Sequence, residues 1–269
     1  MSGPELSGAE HALRHVEARS TGSPLDRALR VTLNFHPERV VAALADTGRY
    51  VSQFVTGTSN GGLTAFAGGD RWRWESRMFG GVYDRASAYD RPVYGGLNFR
   101  LSPYGASPRF GSAHLRLTAD TLSRTTFCYP DSFLEPENLG TADRMALIEI
   151  ALADDRDLLD DYIEAHVHGP VSVEADAEAL VLDPSYRGTA VEEEASRLPC
   201  AVEWHPGFRL SVDELRRHPD FRGPQYVDLG LEIAVDGVLT PKIIGDVRDR
   251  YDQQDLKKVW HLLARFGRP

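Results

Sequence analysis

Tyr162-Ile163-Glu164-Ala165-His166-Val167-His168-Gly169 is the stretch on which the reading of this chain turns. At the two-residue period of a β-strand, Tyr162, Glu164, His166 and His168 project to one face and Ile163, Ala165 and Val167 to the other. One side is apolar and suited to a core, while the other gathers three chemically active side chains ahead of a Gly-Pro turn. An active-site strand has this pattern. So does an edge strand whose polar face meets water, because antiparallel sheets are commonly solvated on one side.

Outward from this strand, β-branched and aromatic residues alternating with polar ones predict strands over 30–36, 91–98, 111–117, 125–129 and 177–182. Pro37 suits the first turn of a helix over 38–45 that stops at Thr47-Gly48. Helices are expected over 142–151, 191–197, 212–217 and 256–265, the last one amphipathic. Residues 50–55 read as a strand or short helix delivering the hydroxyl-rich loop Thr56-Gly57-Thr58-Ser59-Asn60-Gly61-Gly62. Residues 68–81 read as an irregular connection and 225–235 as strand. Strands and helices interspersed without regular β-α-β alternation point to α+β. Residues 1–24 read as a flexible leader with a short helical segment, and 25–269 as a single domain.

Composition narrows the function classes. A chain of 269 residues with 42% hydrophobic content can bury a substantial core. Its 30 basic and 40 acidic residues give a net charge of −10, which disfavours a surface that tracks nucleic-acid phosphates. The two cysteines, Cys128 and Cys200, have no C-x-x-C spacing, so neither a disulfide framework nor a thiolate zinc site is expected. No apolar run has the length of a membrane span and no signal-like segment opens the chain, so a cytoplasmic protein without a membrane partner is expected.

A carboxylate facing a loop of small hydroxyls suits a reaction in which a bond to a sugar C1 breaks and positive charge develops on the ring. Glu164 would be the carboxylate, and Thr56, Thr58 and Ser59 the hydroxyls. One carboxylate suffices where the leaving group needs no proton, as when nicotinamide leaves NAD as a neutral molecule.

Leu33-Asn34-Phe35-His36-Pro37-Glu38-Arg39, Phe54-Val55-Thr56-Gly57-Thr58-Ser59-Asn60-Gly61, Arg91-Pro92-Val93-Tyr94-Gly95-Gly96-Leu97-Asn98, Arg109-Phe110-Gly111-Ser112, Thr125-Thr126-Phe127 and the Glu164 strand together resemble a bacterial family catalogued as a domain of unknown function. The resemblance covers nearly the whole chain from about residue 25. The order of these motifs is also similar to that of ADP-ribosyltransferases. That resemblance implies a single α+β domain with two small, mostly antiparallel sheets and peripheral helices. It implies NAD as substrate, Glu164 as the catalytic residue, and His36, or Arg30 on the same strand, at the first-strand position that helps bind NAD. Thr56, Thr58 and Ser59 match the hydroxyl segment loosely, and Tyr94 completes the expected NAD site. Where arginine-specific transferases carry Glu or Gln two residues before the catalytic Glu, this chain carries Tyr162, so the acceptor of the ADP-ribose is not readable.

Two other classes compete. His-x-His on one strand face is good chelating geometry, so His166 and His168 with His36 or His114 and an acidic residue would make the mononuclear site of a metal-dependent hydrolase. A non-enzymatic binding protein on a degenerate transferase fold would use the patch of Trp72, Arg73, Trp74 and Arg77 as its partner surface.

Overall fold

The computed structural model describes residues 7–57 and 65–268. The strands among them are β1 (Val31–Phe35), β2 (Arg49–Tyr50), β3 (Val93–Leu97), β4 (Ala113–Leu117), β5 (Thr125–Tyr129), β6 (Asn138–Thr141), β7 (Ile163–Val167), β8 (Val171–Ser172), β9 (Ala177–Leu182), β10 (Ala201–Trp204), β11 (Leu210–Ser211) and β12 (Val238–Leu239). Eight of them form one sheet in the order β10-β9-β4-β1-β3-β7-β5-β6, while β2 pairs with β8 and β11 with β12. Only the β9–β10 pairing is parallel.

The fold is α+β, but the two small sheets expected from the sequence give way to one large mixed sheet with two short strand pairs beside it. The reason lies in β1, which uses both edges: Val31 faces Leu97 of β3, and Leu33 faces Leu115 of β4. The first strand of the sheet in chain order therefore sits near its middle and joins strands that chain order keeps apart. Neighbours in sequence often pair, and that tendency gives no hint of such a bridge.

Alternation along the strands divides the sheet into an apolar and a polar face. Leu33, Phe35, Leu97, Leu115, Phe127, Ile163, Val167, Leu180 and Leu182 belong to the main hydrophobic core. Val41 and Leu44 of the helix Pro37–Thr47 and Leu147 of the helix Leu147–Ala153 join the same core. Each such side chain contributes about 1.5–3 kcal/mol through burial. Registers Asn34 to His114, Gly96 to Glu164, Tyr94 to His166 and Thr126 to His166 put the polar residues together on the other face.

Two segments depart from the sequence reading. Residues 70–78, expected to be irregular, form the helix Asp70–Met78, whose buried residues are Arg71, Trp74, Glu75 and Met78. That spacing is one helical face, but two of its four members are charged, so a search for apolar periodicity passes over it. Residues 225–235, expected as strand, form the helix Pro224–Ile233, with Pro224 in its first turn where a missing N–H costs nothing. The short helical segment expected within residues 1–24 is the helix Gly8–Glu17, opened by a capping box between Ser7 and Glu10. Its Ala12 and Val16 are fully buried with Trp74, Phe79, Tyr83 and Leu139.

A third cluster draws mostly on residues after 207, where Phe208, Val227, Leu239, Val259 and Leu263 pack together with Tyr104 and Leu159. The helix Gln253–Phe266 links this cluster to the sheet, because Trp260 Nε1–H donates to the carbonyls of Pro108 (3.0 Å) and Arg109 (3.2 Å). Among the described residues no helix is long and apolar enough to cross a membrane.

Candidate functional site

The polar face of the sheet floors a cavity of about 480 Å³, within the usual range for small-molecule sites. Asn34, Tyr94, Tyr162 and Glu164 line it from the sheet side, and Arg71 from the helix Asp70–Met78. Ser107, Arg109, Asp131 and Ser132 enter from two short 3-10 turns, Pro108–Phe110 and Ser132–Leu134, and Lys257, Lys258 and His261 from the helix Gln253–Phe266. Gly105 makes one wall possible: its φ of +79° is left-handed, and a Cβ there would lie 2.5 Å from Asn34 Oδ1. Asn34 is thereby held, its Nδ2 donating to the Tyr104 carbonyl at 2.9 Å.

Glu164 is the buried carboxylate of the floor, and His166 Nε2 lies 3.0 Å from its Oε1. Burial alone would raise its pKa, but the hydrogen bond from His166, the Arg71 guanidinium and the Ser132 hydroxyl together hold the carboxyl below its ordinary value. Behind it runs a chain of hydrogen bonds across the sheet. Tyr83 Oη lies 2.7 Å from His168 Nδ1, His168 Nε2 lies 2.9 Å from Thr126 Oγ1, and Thr126 Oγ1 lies 3.2 Å from His166 Nδ1.

The direction of this chain follows from the ionisation of its far end. Burial pushes His168 down to about 3 and raises the Tyr83 phenol, so at neutral pH the imidazole is uncharged and the phenol keeps its proton. One orientation leaves no donor idle: Tyr83 O–H donates to His168, His168 Nε2–H to Thr126, Thr126 O–H to His166, and His166 Nε2–H to Glu164. Every bond then points its positive end toward the carboxylate.

The walls are fixed in a similar way. Tyr94 O–H donates to Glu75 (2.6 Å), which Arg91 also holds (2.5 Å), and the Arg71 guanidinium lies 4.2 Å from the centre of the Tyr94 ring. Arg71 is buried, yet its Nε and Nη1 have no hydrogen-bond partner among the described residues. Tyr162 O–H donates to Asp131 (2.8 Å), whose carboxyl is raised, by burial first and then by the neighbouring Glu164.

Of the residues singled out in the sequence, Tyr94 and Glu164 line this cavity together. His36 and Thr56 line an adjoining cleft, and Tyr50, Gln53 and Tyr94 belong to both spaces. His36 follows β1 as the N-cap residue of the helix Pro37–Thr47, and its ring meets the edge of Trp260 with 5.3 Å between centroids. Thr58 and Ser59 lie outside the described residues. Arg30, the alternative at the first-strand position, is ion-paired with Glu178 at 2.6 Å and lines neither space.

The chelate of His166 and His168 with His114 is not assembled. His114 is on β4, three strands from β7, or about 14 Å at the usual strand spacing. His168 already has a partner at each nitrogen. A different set comes together: Cys128, Glu164 and His166 each offer one ligand atom, all within 4.8 Å of one another. The Cys128 thiol is raised well above its ordinary value by burial first, then by Glu164 and Asp131, so an ion would have to displace its proton. Trp74, read as part of a partner surface, is buried, while Arg73 and Arg77 make exposed ion pairs with Asp70 and Glu135.

Sequence reasoning missed Arg71, Arg109, Asp131, Lys257, Lys258 and His261. Lys257, Lys258 and His261 had a legible signal, since their spacing brings them to one side of a helix that was expected.

No curated protein matches this chain. A family model matches residues 30–157 and 150–266, which together take in nearly all of the described structure, including every strand of the large sheet. The chain belongs to the family described as "Protein of unknown function (DUF3626)".

Proposed function

We propose that the protein is an NAD-dependent ADP-ribosyltransferase with Glu164 as its catalytic carboxylate. The observation that carries this reading is that Glu164 is buried on the cavity floor, 3.0 Å from His166 Nε2, with its pKa nonetheless held below the ordinary value. A carboxylate that is desolvated, oriented and charged stabilises a cationic transition state far better than one in water, because it needs no reorganisation as the charge develops.

In the proposed reaction the bond between the ribose C1 and the nicotinamide nitrogen breaks, and its electron pair passes to the pyridinium ring. Nicotinamide leaves neutral. The acceptor's lone pair forms the new bond at C1 and the acceptor releases its proton. Glu164 faces the ring as positive charge builds, and Tyr94 and Arg71 flank the same space. The adjoining cleft with His36 and Thr56 gives a long substrate a second compartment. The net charge of −10 makes a nucleic-acid acceptor the less favoured class. Incubating the full chain with isotopically labelled NAD tests this reading. Release of nicotinamide and a labelled adduct supports it, and intact NAD in the presence of varied acceptors opposes it.

The trio of Cys128, Glu164 and His166 favours a second reading, a metal-dependent hydrolase. A divalent cation held there by three side chains would supply a water of lowered pKa facing the cavity. Metal analysis separates the two readings: about one equivalent of zinc, lost in Cys128→Ser together with all turnover, would favour the hydrolase.

A further inference from the structure

We propose that Arg109, Lys258 and His261, with Arg222 beside them, form a binding subsite for a phosphate or diphosphate group at the end of the cavity walled by the helix Gln253–Phe266. This goes beyond the transferase reading, because the subsite stands whatever bond is broken beside Glu164.

The starting observation is His261. It is 1% exposed and lines the cavity, and neither ring nitrogen has a hydrogen-bond partner among the described residues. A buried imidazole normally satisfies its nitrogens, so two idle ones at the wall of a cavity mark a place for an outside group. Nearby, Arg109 Nε and Arg222 Nε and Nη2 are likewise buried with no hydrogen-bond partner among the described residues.

Charge points to the identity of that group. Arg109, Arg222, Lys257 and Lys258 are close enough to depress one another or His261: Lys257 is lowered to about 8, by burial first and then by Arg109, Lys258 and Arg222. His261 is lowered to about 2, by burial first and then by those four cations. The carboxylates facing them are Asp160, paired with Arg109 and 3.8 Å from Arg222, and Asp131, 3.6 Å from Arg109. Asp157, which also feels Arg222, is taken up by Arg265 at 2.9 Å, so Arg109, Arg222 and Lys258 face two remaining carboxylates and leave a positive excess around an enclosed space in a protein whose overall charge is −10. A dianionic phosphate fits: guanidinium and ammonium groups donate to its oxygens, and a neutral imidazole adds one N–H.

Inorganic pyrophosphate and inorganic phosphate, titrated calorimetrically into the full chain at low ionic strength, test the proposal. Saturable one-site binding is expected, weakened about tenfold or more in Lys258→Met, the loss that goes with one charge-assisted hydrogen bond. His261→Leu removes the idle nitrogens; it should keep or raise the melting temperature while weakening pyrophosphate binding. Absence of saturable binding overturns the proposal. So does wild-type affinity in both variants. If His261→Leu does not fold, the partly exposed Lys258 decides alone. A further arm identifies the source of the phosphate: pyrophosphate that displaces NAD marks the subsite as holding the donor's diphosphate, and pyrophosphate that binds together with NAD marks a phosphorylated acceptor. Glu164→Gln should bind pyrophosphate as the wild type does, so failure of the transferase chemistry leaves this result intact.

Discussion

His166 Nε2 and Glu164 Oε1 are 3.0 Å apart on the polar face of β7, two residues from one another along a strand that is buried over its whole length. The pair is the terminus of the chain from Tyr83 through His168 and Thr126, and that chain sets both the tautomer of His166 and the position of the carboxylate.

Thr126→Val interrupts the chain while keeping the shape of the side chain. It leaves His166 Nδ1 and the His168 N–H unpartnered, at a cost of about 1–3 kcal/mol for each buried group. Nicotinamide release should fall by about tenfold with the KM for NAD changed less, since a positioning residue acts on the transition state through the group it orients. Wild-type turnover in Thr126→Val would mean that the chain has no part in orienting Glu164.

Acid sensitivity follows from three buried imidazoles. His114 and His168 are lowered to about 3 and His261 to about 2, burial being the first cause in each. In the unfolded chain they take up protons near pH 6.5, which the folded protein resists. The stability they contribute is full above pH 6.5 and is lost as pH falls toward their folded values, by about 1.4 kcal/mol per pH unit for each imidazole. Thermal unfolding measured against pH should therefore be level from about pH 8 to 7 and decline steeply below about 6. A melting temperature unchanged between pH 7 and 5 would contradict their burial in neutral form.

Gly105 supports the cavity through its backbone. Gly105→Ala forces a side chain into a left-handed conformation and toward Asn34, and should cost about 1–3 kcal/mol, read as a lowered melting temperature. Wild-type stability would show that the loop relaxes away from Asn34.

The helix Gly8–Glu17 covers Trp74, Phe79 and the β5–β6 hairpin. Val16→Asp buries an unpaired carboxyl in that cluster and should destabilise the protein by about 3 kcal/mol or more in chemical denaturation. If it leaves the denaturation midpoint in place, the first helix is dispensable, as a loose leader would be.

What the sequence disclosed and what it hid have physical reasons. Glu164, His166 and His168 were legible because a period of two assigns faces without knowledge of any partner strand. The single large sheet was not, because the pairing of β1 with both β3 and β4 depends on contacts distant in sequence. Arg71 was hidden because its helix buries Arg71 and Glu75 alongside Trp74 and Met78, and a charge on a buried stripe looks like a break in the pattern. Asp131 and Arg109 lie at or within single 3-10 turns, too short for any periodicity to mark them. The order of motifs suggested one cleft for His36, Thr56, Tyr94 and Glu164, but His36 and Thr56 line a neighbouring space that Glu164 does not reach, and the Lys257, Lys258 and His261 wall comes from a helix read only as amphipathic packing.

The central claim is that the Glu164 carboxylate stabilises a cationic sugar, and Glu164→Gln tests it most directly. The amide keeps the shape and removes the charge, so the fold and the affinity for NAD should change little. Single-turnover nicotinamide release should fall by about 10²-fold or more, as for loss of a preorganised electrostatic group. Nicotinamide release at the wild-type rate in Glu164→Gln would contradict the account.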